Sequence, residues 1–167
     1  MKKFLIAGLG NPGARYAKTR HNAGIDFIEE LSKKWNLEFE EIKSVKSKVS
    51  IHKLDDVEVY LLVPDVFMNN SGKALKPALK KYNLNINDVL IVHDDLDLPS
   101  GTCKLKKYGG DGGHNGLKSI IENFVFFKPW EYFFWSKSDE MFNNLEILNL
   151  YSCHFFSFTY CGLIINE

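Results

Sequence analysis

Six polar residues of this 167-residue chain have the types and settings that hydrolytic chemistry uses: Asn11, His21, Asn69, Asp94, His114 and Asn115. Each falls at a turn or where an apolar run meets a loop. An imidazole titrates close enough to neutrality to take a proton from water. A carboxylate beside it orients the ring and stabilises its cationic form. Neutral amides hold a substrate and stabilise a developing oxyanion without titrating. The set fits water-mediated cleavage of an ester or amide without metal. Asparagine at turns also serves purely structural ends, so spacing alone leaves both uses open. Two histidines precede an asparagine, His21 in TRHNAG and His114 in GGDGGHNG.

Other chemistries fit less well. GLGNPG matches the GxGxxG spacing through Gly8, Gly10 and Gly13. A dinucleotide site needs that glycine turn to open straight into a helix. Here Pro12 removes a backbone donor, and the next helical pattern starts about ten residues later. GGDGGHNG lacks the Lys-Ser or Lys-Thr of a Walker loop, so its glycines are expected to permit tight turns and close backbone approach. His93, Asp94, Asp95 and Asp97 cluster, but not in the order of an EF-hand or a zinc site. Cys103, Cys153 and Cys161 lack metal-ligand spacing, and no GxSxG elbow occurs. No metal and no cofactor is expected.

The elements that must position these residues follow from apolar periodicity. Lys3–Leu9 reads as a buried strand ended by Gly10-Asn11-Pro12-Gly13. Ala23–Trp35 places Ile25, Ile28, Leu31 and Trp35 on one helical stripe. Val49–Leu54 and Val57–Val63, split by Asp55-Asp56, read as a hairpin. Ser71–Tyr82 reads as a helix that Pro77 is placed to kink or split. Val89–Val92 reads as a buried strand before an acidic turn His93–Asp97, Thr102–Leu105 as another strand, and Asn115–Asn123 as a short helix. Strands alternating with helices predict a three-layer α/β domain.

Composition bounds the rest. Apolar residues at 45% and charged residues at 25% are those of a soluble globular domain. A formal net charge of zero gives no general attraction for a polyanion. Lys104, Lys106 and Lys107 are local candidates for phosphate contact, or equally a solvated strand face. An odd number of cysteines predicts a reducing, cytoplasmic setting. The opening apolar run is too short for a signal peptide or a membrane span, and no membrane association is expected.

Three stretches stand in order through most of residues 4–121: FLIAGLGNPGARYAKTRHNAG, LLVPDVFMNNSGKAL and VLIVHDDLDLPSGTCKLKKYGGDGGHNGLKSI. Together they resemble the bacterial-type peptidyl-tRNA hydrolase family. The resemblance implies a single three-layer domain with a twisted mixed β-sheet between helices, monomeric and cytoplasmic. It implies cleavage of the ester between a stalled peptide and the 3′ ribose of tRNA, recycling tRNA, with the acceptor end of peptidyl-tRNA as partner. Carried over by motif position, His21 would be the general base, and Asp94 would orient it. Asn11 would read the peptide side. Asn69 and Asn115 would bind substrate and fix the water or the carbonyl. Tyr16 and Phe67 would flank the terminal nucleotide and the ester, and His114 would line the cleft. The alternatives are a non-catalytic RNA-binding protein of the same fold and an inactive product of a damaged gene. Retention of His21, Asp94, Asn11, Asn69 and Asn115 favours hydrolysis.

The resemblance ends near Asn123, which divides the chain into a family domain at 1–123 and a divergent tail at 124–167. The tail holds 9 of the 13 Phe and 2 of the 3 Trp, with no arginine. The family continues with a core strand of Arg-x-Arg-Ile-Gly-Ile-Gly type; here stands FVFFKPWEYFFWSKSDE, and that strand is expected to be missing. A frameshift is the expected origin of the tail. Sequencing the locus is expected to show the arginine-and-glycine strand in the adjacent frame downstream of Asn123, and its absence there removes the frameshift.

Overall fold

A computed structural model describes residues 1–99, 103–107, 110–124 and 131–135 of the chain. Its elements are β1 (Lys2–Gly8), α1 (Ala23–Lys34), β2 (Glu40–Ile42), β3 (Ser47–Leu54), β4 (Val57–Pro64), α2 (Ser71–Tyr82), β5 (Val89–Asp94), β6 (Cys103–Lys107), α3 (Asn115–Asn123) and β7 (Glu131–Trp135). They form one mixed sheet in the order β2-β3-β4-β1-β5-β7-β6. β1 is central and runs parallel to both β4 and β5. β3 and β4 form the expected antiparallel hairpin across Asp55-Asp56.

The alternation along β1 separates the two faces, because successive strand side chains point to opposite sides. Leu5, Ala7 and Leu9 join Leu75, Ala78 and Leu79 of α2 and Leu117 and Ile120 of α3 on one side. Phe4 and Ile6 join Ile25, Ile28 and Leu31 of α1 on the other. The three-layer α/β expectation therefore holds. Fully burying one such leucine or isoleucine is worth about 1.5–3 kcal/mol. That scale explains α2, which runs unbroken through Pro77 from Ser71 to Tyr82. A proline inside a helix costs about 3 kcal/mol, and the buried face of Ala74, Leu75, Ala78 and Leu79 outweighs it.

Three differences from the sequence reading bear on the site. β5 continues through His93 and Asp94, which were expected in a turn. They pair with Phe134 and Trp135 of β7, and this pairing extends the strand. The strand expected to be missing beside β5 is supplied by Glu131–Trp135, parallel to β5 and antiparallel to β6. EYFFW is rich in aromatic residues, which suit a pleated surface. Glu40–Ile42 adds a short edge strand against β3 that the periodicity did not show.

The N-terminus of α1 lies hard against the sheet at Gly24. A Cβ added there would meet Val92 O at 2.3 Å and both Leu9 N and Leu9 O at 2.6 Å. All three are backbone atoms and cannot rotate aside. Gly24→Ala is therefore expected to destabilise the fold by about 3 kcal/mol, the upper range for overpacking. Urea denaturation measures it; a change below about 0.5 kcal/mol would mean that the contact is not a constraint.

Candidate functional site

The C-terminal ends of β1, β4 and β5 share one edge of the sheet, the edge where open α/β sheets gather ligands. From β5 comes Asp94, whose side chain is 1% exposed. Two imidazoles close on it. His21 Nδ1 lies 2.8 Å from Asp94 Oδ2, and His114 Nε2 lies 3.0 Å from Asp94 Oδ1. The His21 and His114 rings meet edge to face with centroids 5.9 Å apart.

The two histidines are held differently. His21 lies in the 3-10 turn Arg20–Asn22 that leads into α1, with its side chain 54% exposed. A proton on Nδ1 faces the carboxylate, which leaves Nε2 as the accepting nitrogen. His114 is the N-cap of α3, and its Nδ1 accepts the Leu117 N–H at 3.3 Å. Its other nitrogen, Nε2, therefore carries the hydrogen and donates to Asp94. An imidazole used at both ends cannot take another proton without giving up the cap.

Burial alone would push the Asp94 carboxyl up, but hydrogen bonding from His114 and His21 outweighs it and holds the group below the ordinary carboxylate value. Asp94 Oδ2 has no well-aligned hydrogen-bond donor among the described residues. Its close partner is His21 Nδ1 at 2.8 Å, a contact that is electrostatic first. Behind Asp94, buried His93 donates from Nδ1 to the Asp94 carbonyl at 2.6 Å and stacks at a tilt on His114, centroids 4.6 Å apart.

Asn11 is fixed by a residue whose part the sequence did not disclose. Asn22 is buried and spans the turn after β1. Its Oδ1 accepts the Asn11 N–H at 2.8 Å, and its Nδ2 donates to the Asn11 carbonyl at 3.0 Å. The Asn11 side-chain oxygen accepts the Met68 N–H at 2.9 Å, so its amide NH2 is the end left for a ligand. The same bond ties the β1 loop to the 3-10 turn Met68–Asn70. Asn69 of that turn is exposed, and so is Asn115, the first residue of α3. The α3 start abuts the Met68 turn: a Cβ on Gly116 would lie 2.6 Å from Met68 Sδ.

Tyr16 and Phe67 meet edge to face with centroids 6.2 Å apart, and Phe67 is 50% exposed. Arg15 stacks on Tyr16 and donates to its hydroxyl at 2.6 Å. Lys104 is exposed on β6, two strands from His93 in register through Phe134. The side chains of Lys106 and Lys107 lie outside the described residues, as do Gly109 and the start of the glycine loop. The GLGNPG segment does not open into a helix; the chain makes two 3-10 turns before α1 begins at Ala23. Local pattern made plain only contacts between neighbours such as His93 and Asp94, while the resemblance implied that Asp94 orients His21. The His21–Asp94–His114 meeting joins three remote segments, and the one signal for Asn22 was its place in the His21-Asn22 pair.

A family model described as Peptidyl-tRNA hydrolase matches residues 5–128. A protein of that name from Colwellia psychrerythraea is 47% identical over 118 residues, covering 71% of this chain and 61% of that protein. One from Halalkalibacterium halodurans is 44% identical over 117 residues, covering 70% and 63%. The crystal structure of peptidyl-tRNA hydrolase from Acinetobacter baumannii superposes with a TM-score of 0.74 at 35% identity, covering 82% of this chain and 70% of that one. This chain matches 61–63% of the length of those two curated relatives.

His93 carries a testable consequence for stability. Its pKa is pushed down to about 4, first by burial and then by His114 nearby. The unfolded chain takes up this proton near pH 6.5, whereas the folded chain refuses it until about pH 4. The contribution to stability is complete above about pH 6.5 and is lost as pH falls towards 4, a loss of about 3 kcal/mol. A His93→Leu variant is expected to be less stable at pH 7 yet to lose less on acidification. Urea midpoints at pH 7 and pH 4.5 measure both slopes, and equal slopes would remove His93 as the source.

Proposed function

The chain belongs to the peptidyl-tRNA hydrolase family, and from that premise we propose that it hydrolyses the ester joining a peptide to the 3′ ribose of tRNA, with His21 as general base. The observation that carries this reading is the pairing of exposed His21 through Nδ1 with buried Asp94 at 2.8 Å. Asp94 supplies a fixed negative charge that favours the protonated ring as it forms. Nε2, turned away from Asp94, takes a proton from water as the water oxygen attacks the ester carbonyl. The tetrahedral intermediate then collapses, and the imidazolium returns its proton to the departing ribose oxygen.

The asparagines serve as neutral donors around that step. Asn69 and Asn115 hold the carbonyl or the attacking water, and the Asn11 NH2 reads the peptide side. Preorganised donors of this kind matter because they need no rearrangement as charge develops. The bond from Met68 N–H fixes which end of the Asn11 amide faces out. Tyr16 and Phe67 offer ring faces and edges for the terminal nucleotide, since bases stack on aromatic side chains. His114 walls the cleft and holds Asp94 through the other carboxylate oxygen. Lys104, Lys106 and Lys107 meet phosphates of the acceptor stem.

In this reading residues 1–123 carry every residue that meets substrate, and Glu131–Trp135 serves only by pairing beside β5. The protein acts as a monomer in the cytoplasm; among the described residues no helix is long and apolar enough to cross a membrane. His21→Ala is expected to slow hydrolysis of N-blocked aminoacyl-tRNA by about 10²–10⁴-fold, the worth of one general base. Binding of uncharged tRNA is expected to persist in the same variant. An unchanged turnover rate would end the assignment.

A further inference from the structure

His21, Asp94 and His114 converge from three segments far apart in sequence. One ligand atom from each side chain lies within 4.8 Å of the other two. We infer that this trio is a binding site for a borderline divalent cation, Zn²⁺ foremost, and that the occupied site is closed to proton transfer through His21.

Two imidazoles and one carboxylate are a donor set that zinc accepts, with a fourth position left for water. Zinc bonds of about 2.0–2.2 Å set tetrahedral ligand atoms roughly 3.3 Å apart. Two contacts already stand at 2.8 and 3.0 Å, each to a different carboxylate oxygen, and the ligand atoms, within 4.8 Å of one another, close to that spacing when the His21 ring swings inward. His21 is the exposed member and has room to move; Asp94 and His114 are packed in place. A second observation points the same way. Asp94 Oδ2 is buried and makes no aligned hydrogen bond among the described residues, with His21 Nδ1 2.8 Å away. A cation would satisfy that oxygen.

The proton positions say what occupancy does. A neutral imidazole has one N–H and one lone pair. Zinc on Nδ1 of His21 takes the lone pair there and leaves the hydrogen on Nε2. That nitrogen then donates instead of accepting and cannot activate water. Zinc on Nε2 of His114 moves that ring's hydrogen to Nδ1 and gives up the Leu117 cap, whose 3.3 Å length makes it a weak bond. Binding itself rests on no reading of the reaction. Inhibition rests on His21 being the base.

The test is a Zn²⁺ titration of the full chain against a chromophoric chelator, without tRNA. His21→Ala, His114→Ala and the remote control His52→Ala are compared. One equivalent is expected to bind, weakened at least ~10-fold in each of the first two variants, since even outer partners of a metal are worth about 10–100-fold. The His52→Ala variant is expected to bind as the parent does. His21→Ala removes an exposed side chain, and a thermal transition checks each variant's fold. Equal affinity in the parent and both site variants, as zinc held by cysteines would give, overturns the site. Hydrolysis of N-blocked aminoacyl-tRNA is expected to stop as the site fills and to return with chelator. Zinc bound at the histidines with undiminished hydrolysis would overturn the closure and count against His21 as base, while leaving the site in place.

Discussion

A carboxylate with 1% exposure is the constraint on which the rest of this structure depends. Burying an ionised group is expensive unless it is paired and hydrogen-bonded. Asp94 sits at the end of β5, flanked in the sheet by β1 and β7. The chain meets the cost with two imidazoles, one from the turn before α1 and one from the cap of α3. Each partner is tied to a helix start, so the position of both helices is coupled to the ionisation of one side chain. The net depression of the Asp94 pKa shows that the pairing prevails over burial.

Much of the framework was legible because it follows from local patterns. The β3–β4 hairpin was marked by Asp55-Asp56, and α2 and α3 were bounded correctly by their apolar faces. What escaped was set by pairing between remote segments. Nothing local distinguishes His93 and Asp94 as strand residues; β7 makes them so by bonding alongside. EYFFW keeps no clean period, and its place in the sheet is fixed by the open edges of β5 and β6. The site residues could be picked by type and motif. The resemblance implied that Asp94 meets His21, but local pattern could not show it, because His21 reaches Asp94 only through the packing of α1.

Close packing and hydrogen bonding act together at that point. Gly24 lets the first turn of α1 touch the backbone of Leu9 and Val92. Asn22, two residues earlier, closes on both backbone polar groups of Asn11. Between them the turn that bears His21 is held from two sides, although His21 itself is half exposed. Sites held on rigid supports keep geometry within the tolerance that proton transfer demands. The exposed ring is therefore accessible to a ligand without depending on a loose loop.

The central position of β1, parallel to both β4 and β5, has a kinetic consequence. Parallel neighbours cannot be joined by a tight turn, so every pairing that builds the site edge spans a long stretch of chain. Such non-local contacts form late and slowly. During synthesis the loop bearing Asn11 and His21 emerges first; Asn11 finds Met68 early, but His21 has no carboxylate to meet until Asp94 and then His114 have left the ribosome. A fragment that ends at Asp94 holds His21 and its carboxylate but lacks His114, the second imidazole. The full trio thus waits for α3, the helix that His114 caps on the sheet's flank, to be made.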